Sequence, residues 1–186
     1  MSKKGEETKK MILEEAKCLF ARKGFKDVSM SDICKSTGLS RGGLYRHYSS
    51  TSEIFQSLIG TDYSFEEQIE RNESAIKILE DELDFLEKEI IQNESSLSLA
   101  IYEYANIRDN REMFLEMETK AKKRWMQLIE YGIVTGKFQS VNSEAAAEMI
   151  LYYYQGLRMW SRIANIGENA ANNYKSIIIS MLTGVK

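Results

Sequence analysis

The stretch Ser29 to Tyr48, SMSDICKSTGLSRGGLYRHY, decides the fold. Met30, Ile33, Cys34 and Thr37 fall at i, i+3, i+4 and i+7, one face of a helix about seven residues long. Ser29 stands where its hydroxyl can accept from the unpaired amides of the first turn. Gly38 follows the last periodic residue, where a left-handed cap suits glycine. Leu39 points back to the core, Ser40 offers a second N-cap, and Leu44 and Tyr48 share the inner face of the next helix. Arg41, Gly42, Tyr45 and Arg46 are left facing outwards. Two short helices joined by a tight glycine turn form a helix-turn-helix. Cys34 suits the close crossing as a small apolar side chain, with a redox role as the other reading.

Gly42 and Gly43 are unusual at a helix start, because glycine costs up to about 1 kcal/mol against alanine in a helix interior. A bare backbone patch would let the helix approach a base edge while Arg41 and Arg46 reach guanine or phosphate. The alternative is a frayed helix end that tolerates glycine. His47 is the sole histidine. Beside aromatic residues and without metal-ligand or nucleophile partners, it reads as a phosphate donor or packed ring, and no catalytic or metal site is assigned.

From about Thr8 to Leu58 the order is an amphipathic helix, Gly24-Phe25, Val28-Ser29, Ile33, Gly38-Leu39-Ser40, Gly42, Leu44-Tyr45, His47-Tyr48 and Glu53-Ile54-Phe55. This order resembles the N-terminal DNA-binding domain of the TetR family of bacterial transcriptional regulators. The resemblance implies an all-α homodimer whose larger C-terminal domain binds a small molecule and thereby releases DNA. It implies phosphate contacts by Ser29 and Ser40. It places Arg41, Gly42, Gly43 and Arg46 against bases or groove walls, with Tyr45 and His47 on the DNA backbone. A lysine usually precedes the fourth helix in that family, and here Thr51 occupies the position. Its hydroxyl can donate to phosphate, but the counterion release tied to a cation is lost unless Lys9, Lys10 or Lys35 supplies it.

Charge divides along the chain. Residues 1–60 hold 11 Lys and Arg against 7 Asp and Glu, a net of +4, and the rest carries −7, so the whole-chain value of −3 hides a basic head. That asymmetry suits specific contacts to double-stranded DNA more than bulk attraction. Proline is absent, and the long periodic stretches favour helices throughout. No run of 18 apolar residues exists, which with the charged start MSKKGEETKK predicts a cytoplasmic protein away from membranes. Cys18 and Cys34 lack zinc-motif spacing. No cofactor is implied.

The expected architecture is all-α, with a three-helix head over residues 1–52 and a helical effector-binding and dimerisation domain over 53–186. The first helix is expected from about Thr8 to Lys23, with Lys3, Lys4, Lys9 and Lys10 as a DNA-following arm or a solvated tail. A single helix from Ser52 to about Ile69 would span about 27 Å and join the domains, with Gly60 a flaw or a bend. Ile76, Leu79, Leu83, Leu86 and Ile90 mark a bundle helix whose acidic residues, Glu80 to Glu89, read as a solvated face. Asn93 to Ser98 marks a boundary. A short helix carries Leu99, Tyr102, Ala105 and Asn106, and a longer one follows Asn110 and closes at Gly136. Its basic run, Lys120 and Lys122 to Arg124, reads as solvated.

Ala145 to Ile163, including Met149, Trp160 and Arg162, is apolar on more than one side and suits burial against two surfaces. A final helix runs from about Asn169 to Thr183. By the resemblance, these last two long helices pair with those of a second copy and present both heads to a palindromic operator. Tyr102, Phe114, Met117, Trp125, Tyr153 and Trp160 are candidates to line a pocket for a hydrophobic effector, or are core. The competing reading is a helical structural or interaction module without sequence-specific DNA binding. An enzyme is not expected, because no nucleophile-base pair is found.

Overall fold

A computed structural model describes residues 3–60, 64–91, 96–107, 110–161, 163–164 and 167–185. Every regular element among them is a helix. In order these are α1 Lys3–Lys23, α2 Met30–Thr37, α3 Arg41–Tyr45, α4 Thr51–Ile59, α5 Glu66–Glu70, α6 Ala75–Ile91, α7 Ser98–Ala105, α8 Arg111–Val134, α9 Ser143–Ser161 and α10 Gly167–Thr183. Arg162, the middle of the expected linker helix at 61–63, and residues 93–95 of the expected boundary lie outside the described residues.

Packing divides the chain into two compact units, one of residues 1–62 with 94–108 and the other of 63–93 with 109–186. The expected domain boundary at 52/53 falls inside the first of these units. By packing, α4 and α7 both sit with the head helices.

In the first unit, α1 packs on α2, α4 and α7, and α2 on α3. Ile12, Ala16, Leu19 and Phe20 of α1 meet Ile33, Leu44, Ile54 and Phe55 in its core. Helix α1 begins at Lys3, so the lysines near its start are helical and the arm expectation is corrected. The turn after α1 needs Gly24, whose φ is +82°. The Glu103 carboxylate accepts from Phe25 N at 2.7 Å and Lys26 N at 3.0 Å, and a Cβ on Gly24 would lie 2.5 Å from its Oε2. Tyr104 follows it into the aromatic core, 4.5 Å from Phe25 and 4.9 Å from Phe55 between ring centres, and accepts from Gln56 Nε2 at 2.9 Å.

The inward face of α7 carries Tyr104, buried at 1% exposure, while Tyr102, a candidate to line a pocket, lies outside at 61%. Continuous helix from Ser52 to Ile69 is also corrected. Helix α4 ends at Gly60, whose amide donates to Gln56 O at 2.9 Å, and α5 is a separate turn with Phe65 before it. A Cβ at Gly60 would stand 2.8 Å from that carbonyl, so the close is tight.

In the second unit, α6, α8, α9 and α10 enclose one apolar core that includes Leu79, Leu83, Trp125, Ile129, Ile150, Tyr174 and Ile178. The helix following Asn110 closes at Gly136, φ +66°, and the chain folds back so that Phe138 lies on Gly132. A Cβ at Gly132 would sit 2.0 Å from that ring. Gln139 then ties the α8–α9 connection to the end of α10, donating from its amide to Leu182 O and from its side chain to Met181 O, each at 2.8 Å.

Two solvated-face expectations need correcting. Glu82 is buried at 4% and accepts from Arg124 Nη2 at 2.8 Å, while Asp84 and Glu87 pair with Lys175. Lys122 bridges Glu144 and Glu148 at 3.2 Å. Burial of α9 against two surfaces is also incomplete, since Met149 and Trp160 are exposed.

Candidate nucleic-acid interface

Two caps shape the reading head. The Ser29 hydroxyl accepts from Asp32 N at 3.2 Å while Ser29 N donates to Asp32 Oδ2 at 2.9 Å, closing a capping box around the start of α2. The Ser29 hydroxyl also donates to that carboxylate. The Asp32 carboxyl is held at about 2, below its ordinary 3.8, first by the Ser29 hydroxyl, then by the Ser29 amide, with Lys23 at 3.5 Å adding attraction. Both Ser29 donors thus go to Asp32, and a phosphate contact at Ser29 would have to displace them.

Gly38 adopts φ +71° and turns the chain sharply out of α2. Ser40 then caps α3 by accepting from Gly43 N at 3.1 Å, a bond that leaves the direction of its own hydroxyl proton open to an outside acceptor. Leu44 and Tyr48 anchor the segment in the core. The anchor fixes what faces out. Arg41, Gly42, Tyr45 and Arg46 are exposed, while Gly43 and His47 are half-buried. Arg41 Nη2 reaches Ser31 Oγ at 3.4 Å, which holds the guanidinium beside the start of α2.

The paired glycines serve different purposes. A Cβ on Gly42 would meet nothing within 4 Å, so this bare backbone is open to the outside. A Cβ on Gly43 would stand 3.3 Å from Ser40 Oγ and crowd the cap.

Thr51 is half-buried at the first position of α4, after the cap made by Ser50, which accepts from Glu53 N at 3.1 Å. Glu53 accepts from Ser49 N at 2.6 Å, which lowers its carboxyl below the ordinary range. Of the three lysines considered as substitutes for a cation here, Lys9 lies near this helix start. Its Nζ is 5.5 Å from the Tyr48 ring centre, and its charge adds to the lowering at Glu53. Lys10 is turned to Glu14 at 3.9 Å, and Lys35 is in the last turn of α2.

The six pocket candidates differ in burial. Tyr102 belongs to the first unit and is exposed. In the second, Trp125 is core against Phe65 at 5.9 Å, Tyr153 is half-buried against Tyr174 at 5.3 Å, Phe114 and Met117 are half-buried, and Trp160 is 58% exposed. The sequence reading missed the polar groups inside this unit: Glu82 with Arg124, and Arg158 with Glu89. Arginine among apolar residues at i and i+4 from Tyr154 was the available signal.

A capped short helix presenting two arginines, a tyrosine and bare backbone defines a helix-turn-helix DNA-binding protein. Residues 12–58 match the family model described as bacterial regulatory proteins, tetR family. An uncharacterised helix-turn-helix transcriptional regulator of Bacillus subtilis, YfiR, is 33% identical over 138 residues, 70% of this chain and 67% of its own length. The transcriptional repressor KstR2 of Rhodococcus jostii is 24% identical over 158 residues, 69% of this chain and 67% of its own. A TetR transcriptional regulator from Chloroflexus aurantiacus has the same fold, with a TM-score of 0.71 over 96% of both chains at 22% identity. The chain belongs to the TetR family and is a DNA-binding transcriptional regulator.

Proposed function

We propose that the protein is a repressor that binds a palindromic operator as a homodimer and is released by a small molecule held in its second unit. The observation that carries the DNA part is the surface of α3, where Arg41, Gly42, Tyr45 and Arg46 face outward from an anchored, doubly capped element. Arg41 and Arg46 read or clamp, Gly42 lets the backbone approach, and Tyr45, His47 and the Ser40 hydroxyl hold phosphates. Thr51 adds a neutral donor. Residues 1–52 carry the reading role and 53–186 the effector and dimer roles. With operator DNA as its partner, the protein works in the cytoplasm.

Random-site selection with purified protein tests this reading. The expected product is an inverted repeat with half-site centres about one helical turn, 34–36 Å, or a multiple of that apart. Arg41→Ala with Tyr45→Ala should abolish the gel shift while circular dichroism stays helical. Enrichment of no palindrome would favour an interaction module instead.

A further inference from the structure

The second unit contains a charged group that neither its core nor DNA binding explains. Arg158, on α9, is 9% exposed, and its Nε is buried without a hydrogen bond among the described residues. Its guanidinium lies 5.2 Å from the centre of the Tyr154 ring. The nearby carboxylate of Glu89 on α6 is 3.6 Å from Nη2, within electrostatic reach but too long for a hydrogen bond. A buried arginine held this loosely is costly unless another group satisfies it.

The two acids of α6 are not equivalent. Glu82 is buried and bound by Arg124 at 2.8 Å. Glu89 has a side chain 32% exposed and can turn to water, whereas Arg158 cannot follow it. When that pair opens, the charge left inside is positive. Leu86, between the two acids on α6, and Tyr154, whose ring lies over the guanidinium, belong to the apolar core of this unit, with the Glu82–Arg124 pair within electrostatic reach of Tyr154.

We infer that the effector of this chain carries a carboxylate on a small apolar body, and that Arg158 receives the carboxylate as Glu89 gives way. The inference rests on the reading that the second unit holds the effector, and replaces a purely hydrophobic ligand by an anionic amphiphile. The Arg158 guanidinium donates to the carboxylate, and Tyr154, whose phenol burial keeps protonated up to about 12, stays a neutral wall and donor. Glu89 acts as a built-in competitor that sets the affinity.

The test titrates the full-length protein with octanoate and benzoate, their neutral amides, and choline, by calorimetry and by melting temperature. A carboxylate should bind about tenfold or more tightly than its amide, the scale of one charge-assisted hydrogen bond. Arg158→Gln should remove that preference. Glu89→Gln, on a partly exposed side chain, should instead tighten carboxylate binding several-fold, so the inference stays testable if the Arg158 variant does not fold. Equal binding of acid and amide, preference for choline, no binding of either carboxylate, or no effect of Glu89→Gln would each overturn it. Operator affinity is measured in parallel. Carboxylate binding that leaves DNA affinity unchanged would sustain this site and remove the release reading, while operator binding with no carboxylate binding would overturn this site and leave the DNA-binding reading standing.

Discussion

At the residue scale, charge and capping set DNA binding and stability separately. Lys9 stands near the start of α4, where Thr51 contributes no charge, so it is the cation best placed to neutralise a phosphate there. Lys9→Ala should lower the slope of log affinity against log salt by about 0.9, the contribution of one phosphate contact on duplex DNA. Thr51→Lys in that background should restore it, and Lys10→Ala should not change it. An unaltered slope in Lys9→Ala would show that the contact is made elsewhere. Asp32 controls stability by another route. Its folded carboxyl lies at about 2 and its ordinary value is 3.8, so the stabilisation is complete above the ordinary value and is lost as pH falls through the folded one. Thermal melts of the wild type and Asp32→Asn should therefore differ at neutral pH and converge as pH falls from about 4 towards 2. A constant difference across that window would mean that the box acts by geometry alone.

At the scale of elements, the paired glycines of α3 separate recognition from folding. Gly42→Ala meets no neighbour and should stabilise the protein by about 0.5–1 kcal/mol, the usual gain of alanine over glycine in a helix. If its bare backbone touches a base edge, the same change should weaken operator binding. Gly43→Ala should crowd the Ser40 cap and lose stability instead. Stability from urea melts and affinity from gel shifts, taken together, decide the matter: undiminished affinity in Gly42→Ala would leave glycine there without a recognition role. The capped turn itself was legible because it is local, with each cap and its amide within three residues. Helix α7 was less legible. Leu97, Ala100 and Tyr104 form one stripe and Leu99 with Tyr102 another, and only tertiary contact with Phe25 and Phe55 selects the first. The linker misled for a related reason. Apolar spacing continues from Ile54 through Phe65 to Ile69, yet a periodic pattern cannot register a stop at Gly60 when the next turn keeps the same phase. Buried Glu82 and half-buried Arg124 looked solvated because a charge reveals its partner only across helices, here 42 residues apart.

For the whole molecule, the remaining question is what covers the outer face of α9. Met149, Tyr152 and Trp160 are exposed at i, i+3 and i+11, with Gly156 between them at i+7, where a Cβ would meet nothing within 4 Å. Ile177 of α10 is exposed as well. A stripe of large apolar groups with a small residue in the middle lets a second helix approach closely, and a self-complementary twofold pairing would place the same stripe on both sides. The proposed operator symmetry requires such a pairing, because one head of five-residue α3 has too few side chains to select a long site by itself. Trp160 is the largest exposed ring on that face and should act as an anchor, so Trp160→Glu should weaken the dimer by 2 kcal/mol or more, about thirtyfold. Sedimentation at micromolar concentration should then detect monomer, with affinity for the full palindrome falling while helix content stays unchanged. Phe85→Glu, at an equally exposed ring on α6, is the control and should leave the dimer intact. A Trp160→Glu protein that remains dimeric, or a Phe85→Glu protein that dissociates, would move the twofold axis away from α9.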